Sequence, residues 1–382
     1  MANLLLCVSQ VDNQTPYVFK ITNTKVFSLE ETLFHVYYNW KNTADELFTP
    51  AFTGWVRDDL RLPEIAHKIN AYADDPFDRR LIAFLQVIDY FDDYEINSLR
   101  AELAAWAKRV EWEKLKDRGD YLTTHGAPEK AVAVYLQALD GSRQARLLNN
   151  LAVALTQLER YGESAALLNE AMGLEPDNDE LKLNYAEARL YAGKAGEARE
   201  ILDKLPPSEP VFILLGEIYG RAGETDNALM NFKAAVEAGG SDASLYRLAE
   251  FYVEQAAYDK AVSTINRVKA QDAQTAFIRA GICRAQSDFP SAAEILEKAL
   301  ATWPNDVALW LALSECGRDN MDLKQAEQAV AKALSLQPDN ARAQLELVKV
   351  KRAQNKVREY REALRRLIDS LKNEYRDAGE AV

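Results

Sequence analysis

Few residues in this chain have the type and spacing that chemistry needs. The three histidines, His35, His67 and His125, stand apart, and none has a second His or a Cys at metal-ligand spacing. No HExxH, CxxC, GxSxG or phosphate-binding glycine loop occurs. The carboxylate pairs Asp58-Asp59, Asp74-Asp75 and Asp92-Asp93 are raw material for general acid–base work. Neighbours on a helix, however, point about 100° apart and do not converge on one substrate. Asp74-Asp75, ahead of Pro76, reads as a loop and helix start, where carboxylates accept from free backbone amides. Asp92-Asp93 reads as a turn between helices. Cys7, Cys283 and Cys316 each sit in an apolar setting, as expected of reduced, inert thiols. These residues predict no catalytic site, no metal and no cofactor.

Composition narrows the class. Hydrophobic residues make up 48% of the 382 and charged residues 27%, so a folded, soluble chain is expected. With 16 Gly and 12 Pro, the chain suits helices joined by short turns. A net charge of −13 argues against nucleic acid, whose binding rests on Lys and Arg neutralising phosphates, and against an anionic membrane surface. No window is apolar for long enough to span a bilayer. The apolar run Leu4 to Val8 is short for a secretion signal and lacks a basic lead, so a cytoplasmic location is expected.

A repeat organises the rest. EKALATWPND and AKALSLQPDN place Pro304 and Pro338 34 residues apart, and NEAMGLEPDN gives a third match ending at Pro176. This pattern resembles the tetratricopeptide repeat (TPR), in which large residues recur at positions 4, 7, 11 and 24 and small ones at 8, 20 and 27. Seven segments between 111 and 340 fit it. The fourth, 209–241, fits best, with Phe212, Leu215, Gly216, Tyr219, Ala228, Phe232 and Ala235; the third, 179–208, is short. Ser164 stands where Ala is expected in the second. Positions 8 and 20 are where paired helices cross, and only Gly, Ala or Ser lets the backbones come close. Each pair leaves an apolar face open, so the repeats are stable only when stacked. Residues 341–382 keep the helix-pair spacing but carry Val348 and Tyr360 at the small positions, as a degenerate repeat or capping helices would. The resemblance implies an all-α, helix-turn-helix solenoid wound as a right-handed superhelix.

Residues 1–110 lack the repeat. Asn3 to Ser9 and Tyr17 to Ile21 suggest a short β-hairpin, and from Ser28 the chain reads as an aromatic-rich helical head. Helices are predicted near 28–38, 51–60, 63–72, 76–90 and 95–110. Ser28 with Glu31 marks the first start. The string VFSLEETLFHVYYNW resembles the opening of a group of bacterial TPR adaptor proteins, which implies a role in signalling or assembly.

The TPR resemblance also implies a binding surface, because positions 2, 5, 9, 12 and 13 of each first helix line a concave groove. In the third repeat these are Glu180, Leu183, Glu187, Leu190 and Tyr191; in the fourth, Ile213, Glu217 and Arg221; in the fifth, Tyr246, Glu250 and Glu254. Phe277, Arg284 and Leu311 follow, then Arg342, Lys349 and Arg352 at a basic end. The third to fifth repeats thus look acidic, and a protein or peptide partner with basic and apolar residues is expected. The carboxylate clamp that TPR proteins use for acidic chaperone tails is not expected: Lys116 and Asn150 match it, but Asp120 and Glu180 reverse its charge and Asn184 is neutral. The leading reading is a non-catalytic scaffold or adaptor. The alternatives are an effector or enzyme with its active part in 1–110 and the repeats as recruiter, or a self-assembling structural protein. Leucine at Gly216 or Ala228 should overpack the crossing of the fourth repeat and cost roughly 1–3 kcal/mol. A wild-type thermal melt in either variant would show this register to be wrong.

Overall fold

The computed structural model describes residues 15–379 apart from Asp339, with side chains described as far as Ser370. Among the described residues there are 21 α-helices and one two-stranded sheet. The chain divides into two compact units, residues 1–201 and 202–382.

The first unit opens on a hairpin, β1 (Tyr17–Val18) antiparallel to β2 (Lys25–Val26), with Tyr17 opposite Val26. The stretch 3–9, expected as one arm of a hairpin, lies outside the described residues, as does Cys7. Five head helices follow: α1 (Leu29–Thr43), α2 (Pro50–Asp58), α3 (Pro63–Ala71), α4 (Phe77–Leu85) and α5 (Asp93–Ala107). Their starts are written locally. The Ser28 hydroxyl accepts from the Glu31 amide at 3.1 Å. Asp92 and Glu95 form a reciprocal capping box that opens α5. The core is aromatic and aliphatic, with Phe19, Leu33, Trp40, Phe52, Trp55 and Phe84 buried. Phe52 packs edge-on against both Tyr17 (5.0 Å) and Phe84 (5.8 Å). His35 is structural: its Nε2 lies 2.8 Å from the Thr22 hydroxyl, tying the hairpin loop to α1.

Three helix pairs complete this unit: α6 (Glu111–Thr124) with α7 (Pro128–Gly141), α8 (Ala145–Gln157) with α9 (Tyr161–Leu174), and α10 (Asp179–Tyr191) with α11 (Ala195–Leu202), whose last residue begins the second unit. The head rests on the first pair. Ile21 packs against its apolar cluster, and the Arg118 guanidinium reaches Asp45 at 2.6 Å. Ser164, the exception at a small position, is fully buried, and its hydroxyl lies 2.8 Å from that of Thr156, so burying it leaves no orphan polar group.

The second unit has five pairs: α12 (Glu209–Arg221) with α13 (Thr225–Ala238), α14 (Asp242–Glu254) with α15 (Tyr258–Ile265), α16 (Ala273–Ala285) with α17 (Phe289–Thr302), α18 (Val307–Asp319) with α19 (Leu323–Leu336), and α20 (Ala341–Ala353) with α21 (Val357–Gly379). In the first pair a Cβ on Gly216 would lie 2.7 Å from the Phe232 ring, and Ala228 opposite is fully buried. Ser314 takes the small position in α18 and donates to the Ala326 carbonyl of α19 at 2.9 Å. The last pair has its own small core of Val348, Ala363 and Leu367.

The turn inside each pair repeats too. Gly126, Glu159, Gly193, Gly223, Ala256, Ser287, Met321 and Asn355 all have φ between 54° and 79°. From Glu159 onward, each lies fourteen residues after the start of its first helix. This left-handed residue ends the first helix and turns the chain back into the second. Asn355 holds that place in the last pair, so α20 and α21 keep the repeat's turn although their small positions are filled by Val348 and Tyr360. Where the residue is not glycine, the Cβ costs roughly 1 kcal/mol. Met321 is 72% exposed, so its side chain contributes little in return. Met321→Gly should therefore stabilise the chain by up to about 1 kcal/mol, after the extra entropy of an unfolded glycine is subtracted. A lower midpoint in denaturant would contradict this.

Candidate functional site

In each unit the first helices of successive pairs place their predicted groove residues side by side. The two units hold different sets.

In the first unit the residues come from α6, α8 and α10. Lys116 is buried, and its ammonium meets Asp120 at 2.6 Å. Asp120 also accepts from the Tyr135 hydroxyl and the Asn150 amide, both at 2.7 Å. The two residues that match a carboxylate clamp are thus both spent on Asp120. Further along, Asn184 donates to Asn149 at 2.8 Å, and Asn149 reaches Glu180 at 3.5 Å. Leu183 and Glu187 are half-buried, and Tyr191 stacks on Tyr161 with centroids 5.4 Å apart. Leu190 departs from expectation. It is fully buried.

In the second unit, Glu217 and Arg221 on α12 face Glu250 and Glu254 on α14. They surround a cavity of about 410 Å³ whose wall includes Gly216 and Gly220. Arg247, absent from the predicted set, lies between the acids, 3.2 Å from Glu217 and 3.2 Å from Glu250. Arg221 approaches Glu217 at 3.9 Å. Three carboxylates and two guanidiniums therefore line the cavity, with the guanidiniums paired to Glu217 and Glu250. Burial pushes the Glu250 carboxyl up; Arg247 opposes that shift, while Glu217 and Glu254 add to it. Ile213 is half-buried on α12. Tyr246 is committed to the fold: its hydroxyl lies 3.0 Å from Asp272, the cap of α16, and 2.9 Å from the Thr275 hydroxyl. Phe277 is half-buried between two apolar clusters. Leu311 is buried in the repeat core and is not a groove residue.

The basic end is more balanced than its composition suggests. Arg284 bridges Glu315 at 2.5 Å and Asp319 at 3.0 Å. Arg318 reaches the buried Glu346 at 2.8 Å. Arg342 lies 3.6 Å from Glu315, and Lys349 lies 3.6 Å from Glu346. Of the three predicted bases at this end, Arg352 alone has no ion pair among the described residues. A charge count along the sequence misses this compensation, because the partners come from different helices. Arg247 carried a legible signal: an arginine three residues before Glu250 on one helix.

Among the described residues no group of three or more His, Cys, Asp or Glu is placed to hold a metal ion, and no helix is long and apolar enough to cross a membrane. Cys316 is buried, with its thiol 3.2 Å from the Phe289 carbonyl. Burial pushes the thiols of both Cys283 and Cys316 up, away from the reactive thiolate.

Stacked helix pairs, with small residues at every crossing but the last, define a helical-repeat protein. Two tetratricopeptide-repeat family models match, one at residues 155–213 and 221–280 and the other at 116–179 and 284–341, together more than half of the chain. The chain belongs to the tetratricopeptide-repeat family. It is 29% identical to a TPR repeat-containing protein of Methanocaldococcus jannaschii over 175 residues, which is 42% of this chain and 30% of that protein. It is 24% identical to the human protein O-mannosyl-transferase TMTC1 over 208 residues, 51% of this chain and 23% of that one. The match therefore spans less than a third of each relative. Among solved structures, yeast Tom70 superposes with a TM-score of 0.50 at 14% identity over 92% of both chains, a likeness of fold.

Glu250 gives a testable titration. A carboxyl whose folded pKa is raised favours the folded state fully below its unfolded value, and that contribution is lost as pH rises through the folded value. Glu250→Gln removes this titration. The melting temperature of the variant relative to wild type should therefore rise between about pH 4 and about pH 7. Calorimetry across that range checks it, and a flat or falling difference would sink the assignment.

Proposed function

We propose that this chain is a non-catalytic interaction scaffold or adaptor, and that its second unit holds an extended segment of a partner protein along α12, α14, α16, α18 and α20. The observation that carries this reading is the cavity in which Glu217, Glu250 and Glu254 outnumber Arg221 and Arg247. An added Lys or Arg from a partner completes the charge balance there, and partial burial strengthens the pairing. Ile213 and Phe277 offer apolar contact beside it, and Arg352 favours an acidic residue at the other end of the same segment. The family supports this reading, since helical repeats of this kind are general protein-binding folds. So does the resemblance of the head to bacterial TPR adaptors. The free cysteines Cys283 and Cys316 suit a reducing compartment, and we propose a cytoplasmic location.

The test is a positional-scanning peptide library on the immobilised full chain, read against Glu250→Lys and Glu254→Lys. The wild type should enrich Lys and Arg at one position, with association that slows as salt is added. Both variants should lose that preference and the salt dependence with it. Identical peptide profiles for all three proteins would move the site elsewhere.

A further inference from the structure

The head carries a second cleft, remote in sequence from the groove of the second unit. Helix α1 breaks at Asn39, where φ is −128° and ψ is 22°. Beside the break lies a cleft of about 530 Å³, walled by the rings of Tyr37, Tyr38, Trp40 and Tyr121. Two of these rings are braced from behind: Tyr37 stacks on Phe91 at 4.5 Å, and Tyr121 stacks on His125 at 3.9 Å. Tyr38 is 58% exposed, and its hydroxyl has no hydrogen-bond partner among the described residues.

The polar groups in the cleft point to one kind of ligand. Glu102 lines it and has no ion pair among the described residues. Glu95 adds a second carboxylate, which also caps the Asp92 amide at 3.1 Å. Asn42 lines the cleft as well. It is 8% exposed, and its buried Oδ1 accepts no hydrogen bond. The one cation in the wall, Lys41, holds its ammonium 5.0 Å from the Trp106 ring centre and 5.6 Å from that of Trp40.

Aromatic faces and carboxylates together select a cation. A quaternary ammonium carries no N–H for the carboxylates of Glu95 and Glu102 to accept. A lysine ammonium has the donors but no flat face to stack. A guanidinium has both, with planar donors spread in a fork. We propose that this cleft binds an arginine side chain of a partner protein, with its guanidinium stacked on Tyr38 and paired with Glu102. The head would then grip a second point on a partner, separately from the groove of the repeats.

The test is saturation-transfer NMR on the full chain with N-acetyl-arginine methylamide as probe. Transfer to the arginine side-chain methylenes is expected. Tyr38→Ala and Glu102→Lys, both at exposed positions, should weaken binding on the order of tenfold while leaving the thermal melt unchanged. N-acetyl-lysine methylamide and tetramethylammonium should bind several-fold more weakly. The proposal is overturned by absence of transfer from the wild type, by equal binding in both variants, or by equal binding of the lysine or tetramethylammonium probe. Agmatine or free arginine binding more tightly than the blocked residue would make this a small-molecule site and overturn the protein-ligand assignment. Because the probe and both variants concern the first unit alone, the outcome is independent of the groove in the second.

Discussion

The closeness with which two helices of a pair cross is the constraint on which the structure depends. At Gly216 the Phe232 ring fills the space where a side chain would begin, and Ala228 and Ala235 are buried on the facing helix. Gly119 meets Tyr135 in the same way in the first pair. This small-against-large contact holds the pair together at short range, so neighbouring pairs can stack on what remains apolar. It also decides which faces are left over. The groove residues stand on the side of each first helix that the crossing does not use.

Those spare faces are laced by charge. Residues that look like an unopposed acidic patch or an unopposed basic end mostly meet partners on the next first helix, as Arg284 does with Glu315 and Asp319. Pairs that are partly buried are screened less by salt than exposed ones, so they bear on the groove's local field more than the net charge of −13 does. What survives compensation is small and local: the excess of glutamates around Arg247, and Arg352. Among the described residues the surface thus carries a few residual charges set among many neutralised ones.

Much of this architecture is legible in the sequence because the repeat writes it eight times. Small residues at the crossings, aspartates at helix starts and the apolar spacing each point to the same helix pairs, and Ser28 and Asp92 mark head helices for the same local reason. The parts that are not legible depend on distant partners. Nothing near Tyr246 shows that its hydroxyl belongs to Asp272, 26 residues on, and nothing near Leu190 shows that it is buried. Arg247 sits one position beyond the expected groove register, so the repeat spacing does not select it. The head cleft is the least legible part, since Tyr37, Asn42, Glu102 and Tyr121 come together only through tertiary packing.

The links between successive first helices of the second unit have a mechanical consequence. Arg247 joins α12 to α14, Tyr246 joins α14 to α16, Arg284 joins α16 to α18, and Arg318 joins α18 to α20. Three of these four struts are ion pairs, and the Tyr246 strut is a neutral hydroxyl bonded to the Asp272 carboxylate and the Thr275 hydroxyl. Salt therefore softens the stack unevenly. Raising salt should loosen the three ionic joints more than the joint between α14 and α16.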